Sequence, residues 1–227
     1  VDDIAHVLEL QYMGYIIYDH TLHFYFLGGP DFIVGPDAPA DKRNILGVIE
    51  KAGLDVTMEV IKHRAYGQKI TEILGGKATH PVSGLPGGIS KPLSEENRLS
   101  ILQMARSSVD FAQFTLQLFH DLVLDNPQYL DMIKSDAYTM RTHYAGTVDA
   151  KNRVNFYDGD VRVVDPSGKE FSRFGAADYQ DHIEERSEEW TYSKFPFLRS
   201  IGWKGFTDGP DSGIYRVGPL ARLNAAD

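Results

Sequence analysis

YDHTLHFYFLGGPDF occupies residues 18–32 and places one acid and two histidines among aromatic and apolar residues. Asp19, His20 and His23 follow one another at spacings that fit a helix. An ionisable side chain among apolar neighbours is costly to bury unless it is paired or has a chemical role. The stretch therefore marks the first long helix and the first candidate functional residues.

Apolar periodicity on both sides of this stretch predicts a mainly helical first part. A helix is expected over 3–27, with Gly28-Gly29-Pro30 stopping it. Further helices are predicted over 41–52, over 56–74 with Asp55 as N-cap, over 95–124 with Ser94 as N-cap, and over 127–134. Residues 75–89 are too rich in glycine and proline for regular structure.

The pattern changes near Tyr138. Short β-branched or aromatic segments predict strands at 147–149, 154–157 and 161–164, with Asp158-Gly159 as a hairpin turn and a further turn at 166–168. The predicted fold class is therefore α+β, mainly α, in a single domain over 1–227. Its predicted parts are helical over 1–137, a small antiparallel β unit over 138–170, and mixed loops and short elements over 171–227.

Composition excludes several functional classes. The 227 residues carry a formal net charge of -9, which disfavours a nucleic-acid partner. No apolar run approaches the about 20 residues that span a bilayer, so no membrane span is expected. The chain contains no cysteine, so no thiolate for an iron–sulfur cluster, nickel or a disulfide lies within it, which is compatible with a cytoplasmic location.

The acid and the two histidines permit two interpretations. Asp19, His20 and His23 are a conceivable metal-binding set, or they are the polar tips of a packed helix bonded to neighbours. No spacing fixes a further ligand, because the remaining candidate histidines are scattered along the chain at His63, His80, His120, His143 and His182.

Three other motifs have a chemical and a structural interpretation. The glycine pairs at 75–76 and 87–88 could cradle a phosphate, but they lack the context of a nucleotide loop and favour a tight backbone crossing. The acidic run at 184–189 could supply acid–base groups, or it could be a solvated face. Arg222 could position an anion or a carboxylate partner.

Five segments, in this order along the chain, resemble the large (alpha) subunit of nickel-iron hydrogenases of the cytoplasmic group. They are His20-x-x-His23-Phe24-Tyr25 with Pro30-Asp31-Phe32; Gly75-Gly76-Lys77-x-x-His80-Pro81 with Pro86-Gly87-Gly88; Phe156-Tyr157-Asp158-Gly159-x-x-Arg162-Val163; Trp190-x-Tyr192-x-Lys194; and Gly213-Ile214-Tyr215-Arg216-Val217-Gly218-Pro219-Leu220-Ala221-Arg222-Leu223. Each segment is modest alone, whereas their joint order covers essentially the whole chain. The fold that this resemblance implies is a long-helix bundle with a small β unit.

The resemblance also implies an activity and partners. The intact protein is expected to oxidise H2 reversibly and to pass electrons to an iron–sulfur small subunit, with NAD(P)- or deazaflavin-linked or heterodisulfide-reducing subunits beyond it. The two Cys-x-x-Cys motifs that bind the family's nickel-iron centre have no counterpart here. The chain is therefore expected to be the middle of a longer subunit, cut at both ends, inactive alone and holding no metal or cofactor itself.

One residue role carries over from the resemblance. Asp19 matches a family acid that lies beside the metals without binding them and pairs with an arginine, which would lie outside this chain. Cytoplasmic members often have a serine there, so an acid departs from that group's pattern. His80 matches a histidine with a structural role. Two alternatives remain: a cysteine-free relative that serves as a quinone-site scaffold, as in respiratory complex I, or a non-catalytic interaction module.

Overall fold

A computed structural model describes residues 2–207 and 209–226 of the chain. These residues form two units that divide between Ile133 and Lys134, and each unit is described by itself. The predicted α+β class is confirmed, because the first unit is helical and the second carries the larger sheet. That 1–227 forms a single domain stays a prediction. Val1 and Asp227, on which the predicted cut ends depend, lie outside the described residues.

The first unit is built from long helices joined by shorter segments. In chain order these are α1, Asp2–Leu22; a first and a second π-helical segment, His23–Gly28 and Pro30–Val34; α2, Ile45–Ala52; α3, Leu54–Gly75; the strands β1, Gly84–Leu85, and β2, Gly88–Ile89; α4, Glu95–Phe119; a third π-helical segment, His120–Leu124; and α5, Pro127–Lys134. The predicted irregular stretch 75–89 thus contains a two-residue antiparallel ladder.

The first helix does not stop at Gly28-Gly29-Pro30, and that prediction is wrong. The backbone at Gly29 is helical, with φ -55° and ψ -43°, and helical geometry continues as π-helix to Val34. Proline lacks an N–H and clashes with the carbonyl four residues before it in a regular α-helix. A π-turn widens the helix and shifts pairing to the fifth residue, which accommodates Pro30. Gly35, with φ +116°, ends the segment.

Helix ends follow their capping chemistry. The Ser94 hydroxyl accepts a hydrogen bond from the backbone N–H of Asn97, which confirms its predicted role at the start of α4. Helix α2 begins after Asn44, whose side chain accepts from two backbone N–H groups, so the predicted start at Asp41 is wrong. Asp55 lies in the first turn of α3 and Gly53 is the residue before that helix, so Asp55 is not the predicted N-cap.

Two apolar clusters form the interior of the helical unit. The first gathers Tyr25, Ile33, Val48, Val60 and Phe111, and the second gathers Ile70, Leu74, Ile101 and Met104. Helix α3 contributes to both clusters, and α4 also does. These two helices therefore hold the interior of the unit together, with α1 packed along α3.

The second unit contains a four-stranded sheet and a separate hairpin. Its main elements are β3, His143–Val148; β4, Asp160–Val164; β5, Glu170–Phe174; α6, Tyr179–His182; β6, Ile183–Ser187; β7, Lys194–Leu198; β8, Tyr215–Arg216; and α7, Gly218–Ala225. The sheet order is β5-β4-β3-β8, with β8 parallel to β3 and the other pairs antiparallel, while β6 pairs with β7. The buried cluster of this unit comprises Ala145, Val163, Phe174 and Leu198.

The predicted hairpin around Asp158-Gly159 is wrong. Strand β4 pairs with β3, Val148 lies opposite Asp160, and Val154 makes only an isolated bridge to Val148. The Asn155 side chain accepts hydrogen bonds from the backbone N–H groups of residues 157 and 158, which bends 155–158 away from strand geometry. A Cβ on Gly159 would lie 2.5 Å from the Val148 carbonyl oxygen, so this glycine allows a close backbone approach.

A buried histidine on β3 makes the second unit sensitive to acid. His143 is 2% exposed, and its ring packs edge-to-face on Phe171 with centroids 4.7 Å apart. Burial lowers the pKa of His143, while the nearby Asp165 carboxylate partly opposes that shift. The folded state therefore disfavours the charged ring.

We expect the stability of the chain to fall as the pH drops below about 6.5, because the unfolded His143 then takes up a proton that the folded one resists. His143→Phe should flatten this slope between the folded pKa and about 6.5, by at most about 1.4 kcal/mol per pH unit. Thermal unfolding followed at a series of pH values measures it. His6→Gln, on the exposed side of α1, is the control, and equal slopes in wild type and His143→Phe would contradict the assignment.

Candidate functional site

Asp19 lies on the last turns of α1 and is half exposed. Its Oδ2 lies 3.6 Å from Nδ1 of His20, and its side chain is 42% exposed. The Asp19 carboxylate is the main cause that raises the pKa of the Tyr15 phenol, one turn earlier on the same helix. Tyr15 in turn stacks on Tyr12 and meets Tyr18 edge-on. The predicted residue is thus a carboxylate at one end of a tyrosine row.

A glycine contact fixes the helix that carries Asp19. A Cβ on Gly67 of α3 would lie 2.7 Å from the Gly14 carbonyl oxygen and 2.8 Å from the backbone nitrogen of Tyr18. Helices α1 and α3 therefore touch through their backbones at Gly14 and Gly67. Sequence reasoning missed this contact, although isolated glycines inside two predicted helices were a usable signal.

The first π-helical segment anchors the chain beyond Asp19 to α4. Tyr25 is 2% exposed, and its hydroxyl lies 2.8 Å from the Thr115 hydroxyl. Its ring stacks on Phe111 at 5.8 Å, and Phe24 meets Phe119 edge-on at 6.1 Å. Burial is the main cause that raises the pKa of Tyr25. The candidate segment is therefore held from both sides, by α3 and by α4.

An apolar cavity of about 160 Å³ lies beside this segment. Its lining residues are His23, Phe24, Gly28, Gly29, Phe32, Ile33, Leu118, Phe119, Leu122 and Val123. They come from the first two π-helical segments, from α4 and from the third π-helical segment. A cavity with such a lining accommodates a small apolar molecule and offers water few partners. His23 therefore lies at the wall of an apolar space.

The structure does not bring Asp19, His20 and His23 together as metal ligands. Within residues 2–207 and 209–226, a group of three potential ligands with mutually close atoms is found at His120, Asp121 and Asp125, all of them exposed. Two carboxylates approach the His120 ring there, at 3.5 and 3.4 Å. Such exposed groups are common without a metal, so the packed-helix interpretation of His20 and His23 fits the geometry better.

The remaining motifs occupy structural positions. Gly75 ends α3, where a Cβ would lie 2.5 Å from the Pro81 ring, which is the tight crossing expected of the glycine pair. His80 is an exposed loop residue with φ +54°. The Arg222 guanidinium lies 4.8 Å from the centre of the Phe156 ring. Residues 184–187 of the acidic run are exposed along β6.

No family model matches the chain, whereas curated proteins do. It is 43% identical over 221 residues, 97% of its length, to an iron-sulfur subunit of the F420-non-reducing hydrogenase of Archaeoglobus profundus. It is 43% identical over 96% of its length to a vhu subunit of the F420-non-reducing hydrogenase of Methanocaldococcus jannaschii, and 32% identical over 95% to the HoxS subunit beta of the Cupriavidus necator NAD-reducing hydrogenase. These matches cover 46%, 49% and 43% of the relatives, so the chain spans about half their length.

A solved structure agrees with these relatives. The crystal structure of an NAD+-reducing NiFe hydrogenase in the H2-reduced state superposes on the whole chain with a TM-score of 0.86 and 29% identity, covering 48% of its own chain. The α+β fold therefore matches that of a hydrogenase subunit. In the part of the chain that the structure describes, no helix is long and apolar enough to cross a membrane.

The names of the relatives correct the large-subunit prediction. The Archaeoglobus protein is named an iron-sulfur subunit, the Methanocaldococcus protein a vhu subunit and the Cupriavidus protein a beta subunit, and none of these names is that of a nickel-binding large or alpha subunit. The assignment of the chain to a large nickel subunit is therefore wrong by this comparison, and the large-subunit fold type is unsupported with it. The relation to hydrogenases remains, since every relative described above is a hydrogenase subunit by name.

Proposed function

We propose that the chain is part of a hydrogenase subunit of the kind represented by the Archaeoglobus iron-sulfur subunit and the HoxS subunit beta. The observation that carries this proposal is 43% identity over 97% of the chain, without a long unmatched segment. The proposed activity of the intact complex is H2 oxidation or formation, coupled to electron transfer between subunits. A cytoplasmic location belongs to the same proposal.

The chemistry of the chain limits what it contributes to such a complex. Iron–sulfur clusters are held mainly by cysteine thiolates, and none of the 227 residues is a cysteine. Any cluster ligands must come from other parts of the complex. We infer that these residues supply a rigid scaffold, and that a nickel-iron centre in the intact protein stays a prediction from the resemblance alone.

Within this scaffold, Asp19 is proposed as a positioning residue. Helix α1 is locked on α3 through Gly14 and Gly67, so the carboxylate stands on a fixed backbone. It is half exposed, and it already influences the ionisation of Tyr15. A fixed carboxylate can orient a cationic side chain beside a reacting centre, and loss of such a supporting contact commonly costs about 10–100-fold in activity.

Asp19→Asn is expected to lower H2 turnover of the assembled complex by about tenfold, because the amide keeps the shape but loses the charge. Asp19→Glu should restore part of the activity, whereas a purely structural role would make the longer side chain the worse variant. Turnover with an artificial one-electron dye measures both variants. Asp31→Asn, at an exposed ion pair with Arg43, is the control. Wild-type turnover in Asp19→Asn would exclude the role.

The subunit proposal is tested by purification of the complex from its native host through an affinity tag on this polypeptide. We expect other subunits to co-purify, together with iron and H2-dependent dye reduction. A tagged polypeptide that purifies alone, without H2-dependent activity, would contradict the proposal and favour the interaction-module alternative.

A further inference from the structure

A second concave surface lies between α3 and α4, away from Asp19. The groove has a volume of about 320 Å³. Its floor is aromatic: the His63 ring lies parallel on Phe111 with centroids 4.2 Å apart, and Phe111 stacks on Phe114 at 6.2 Å. His63 and Phe111 are buried, while Phe114 is 42% exposed. The groove therefore offers aromatic surface to whatever enters it.

His63 contributes its ring face and not its nitrogens. Its Nδ1 lies 2.9 Å from the Glu59 carbonyl oxygen, which can only accept, so Nδ1 carries the hydrogen. Its Nε2 then accepts from the Ser107 hydroxyl at 3.1 Å. Both nitrogens are used inside the unit. This excludes a metal or a proton acceptor at His63 as the purpose of the groove.

Carboxylates line the rim of the groove. Asp55 and Glu59 stand one turn apart on α3, and Asp110 faces them from α4. Lys62 already pairs with Glu59 at 3.0 Å. Among the described residues, Asp55 and Asp110 have no ion-pair or hydrogen-bond partner. A guanidinium suits this lining, since it stacks on aromatic faces and binds carboxylates in a planar fork.

The surface beside the groove indicates a polypeptide as the occupant. Leu54, Met58 and Ile61 follow at i, i+4 and i+7 on α3, one row from Asp55 and Glu59, and are 67%, 55% and 48% exposed. A row of large apolar side chains next to an acidic groove is typical of a protein–protein interface, where arginine is enriched. A small free cation would leave this row uncovered.

We propose that the groove is the docking site for another subunit, which inserts an arginine over His63 and Phe111 and covers the row Leu54, Met58 and Ile61. The proposal deepens the proposed function and rests on it, because it requires a multisubunit complex. The arginine head lies between Asp55 and Asp110, and apolar neighbours in the same segment of the partner pack on α3.

Photo-crosslinking in the complex purified from the native host tests the occupant. A benzophenone amino acid replaces Met58, and mass spectrometry identifies the crosslinked peptide. We expect a peptide of another subunit that contains an arginine next to apolar residues. A peptide of the same polypeptide, a peptide without a basic residue, or no crosslink would overturn the proposal. The same amino acid at Leu85, 55% exposed on β1, is the positional control and should not yield that peptide.

Charge variants test the recognition. With both Asp55→Asn and Asp110→Asn, the dissociation constant of the crosslinked subunit should rise about tenfold at low salt, and the difference should shrink at high salt. Asp131→Asn, an exposed aspartate on α5, should leave affinity unchanged. Unchanged affinity in the double variant would overturn the proposal. Absence of any complex would instead contradict the proposed function, which keeps the two failures distinguishable.

Discussion

Replacing Gly67 with alanine is expected to destabilise the helical unit by about 2–3 kcal/mol. The new Cβ would lie 2.7 Å from the Gly14 carbonyl oxygen and 2.8 Å from the Tyr18 nitrogen. Both are backbone atoms, so the overlap is relieved only by moving α1 away from α3. Because that movement loosens the contact along both helices, the cost exceeds the small gain in helix propensity of alanine over glycine.

Chemical denaturation followed by circular dichroism measures this loss, and two further variants grade it. Gly14→Ala should cost less, because its closest neighbour, at 2.9 Å, is the Ile70 methyl group, which belongs to a side chain. Gly84→Ala should be nearly neutral, since a Cβ there meets nothing within 4 Å. Equal stability of Gly67→Ala and Gly84→Ala would show that the helices are not locked at this point.

Capping chemistry made the regular parts of the fold predictable from sequence. Ser94 and Gly76 mark the start of α4 and the end of α3 where the chain-local pattern placed them. The π-helical continuation at Gly29-Pro30 was not predictable, because its local sequence is that of a helix end. Packing of the segment around Tyr25 and Ile33 in the buried cluster outweighs that local signal.

The candidate site divides in the same way. Asp19 was identified from sequence, because an acid among aromatic residues is a local pattern. The cavity beside it was not, because Phe24 and Leu122, far apart in sequence, meet only in the folded chain. The groove likewise needs Asp55 and Asp110 from two helices. Sequence spacing carries no information on such long-range pairs without an alignment.

The resemblance identified hydrogenases but not the type of subunit. The segments that carry it, such as Pro30-Asp31-Phe32 and Gly218-Pro219-Leu220, fix backbone turns and helix starts in this chain. Subunit types differ in the thiolates that hold their metals, and the chain contains no cysteine to compare. The shared segments therefore report a common fold, while the names of the relatives correct the large-subunit assignment.

Arg162→Ala is expected to destabilise the second unit by about 3 kcal/mol, because it breaks a buried charged network. Its side chain is 8% exposed, its Nε donates to Glu170 at 2.8 Å, and its Nη1 donates to the Ala225 carbonyl oxygen at 2.9 Å. The guanidinium thereby ties β4 to β5 and to the end of α7. Removing it leaves the Ala225 carbonyl without this donor in a buried position and opens a cavity.

Arg153→Ala provides the matched comparison, because its guanidinium also pairs with a carboxylate at about the same distance, 2.7 Å from Asp149, but is 69% exposed. An exposed pair is worth at most about 1 kcal/mol, so this variant should lie close to wild type although hydrogen bonds from Arg153 lower the pKa of Asp149 to about 2. Denaturant midpoints of the two variants separate burial from ion pairing as the source of stability. If both lose the same stability, the buried network around Arg162 contributes no more than a surface pair, and α7 must be held on the sheet by its apolar contacts alone.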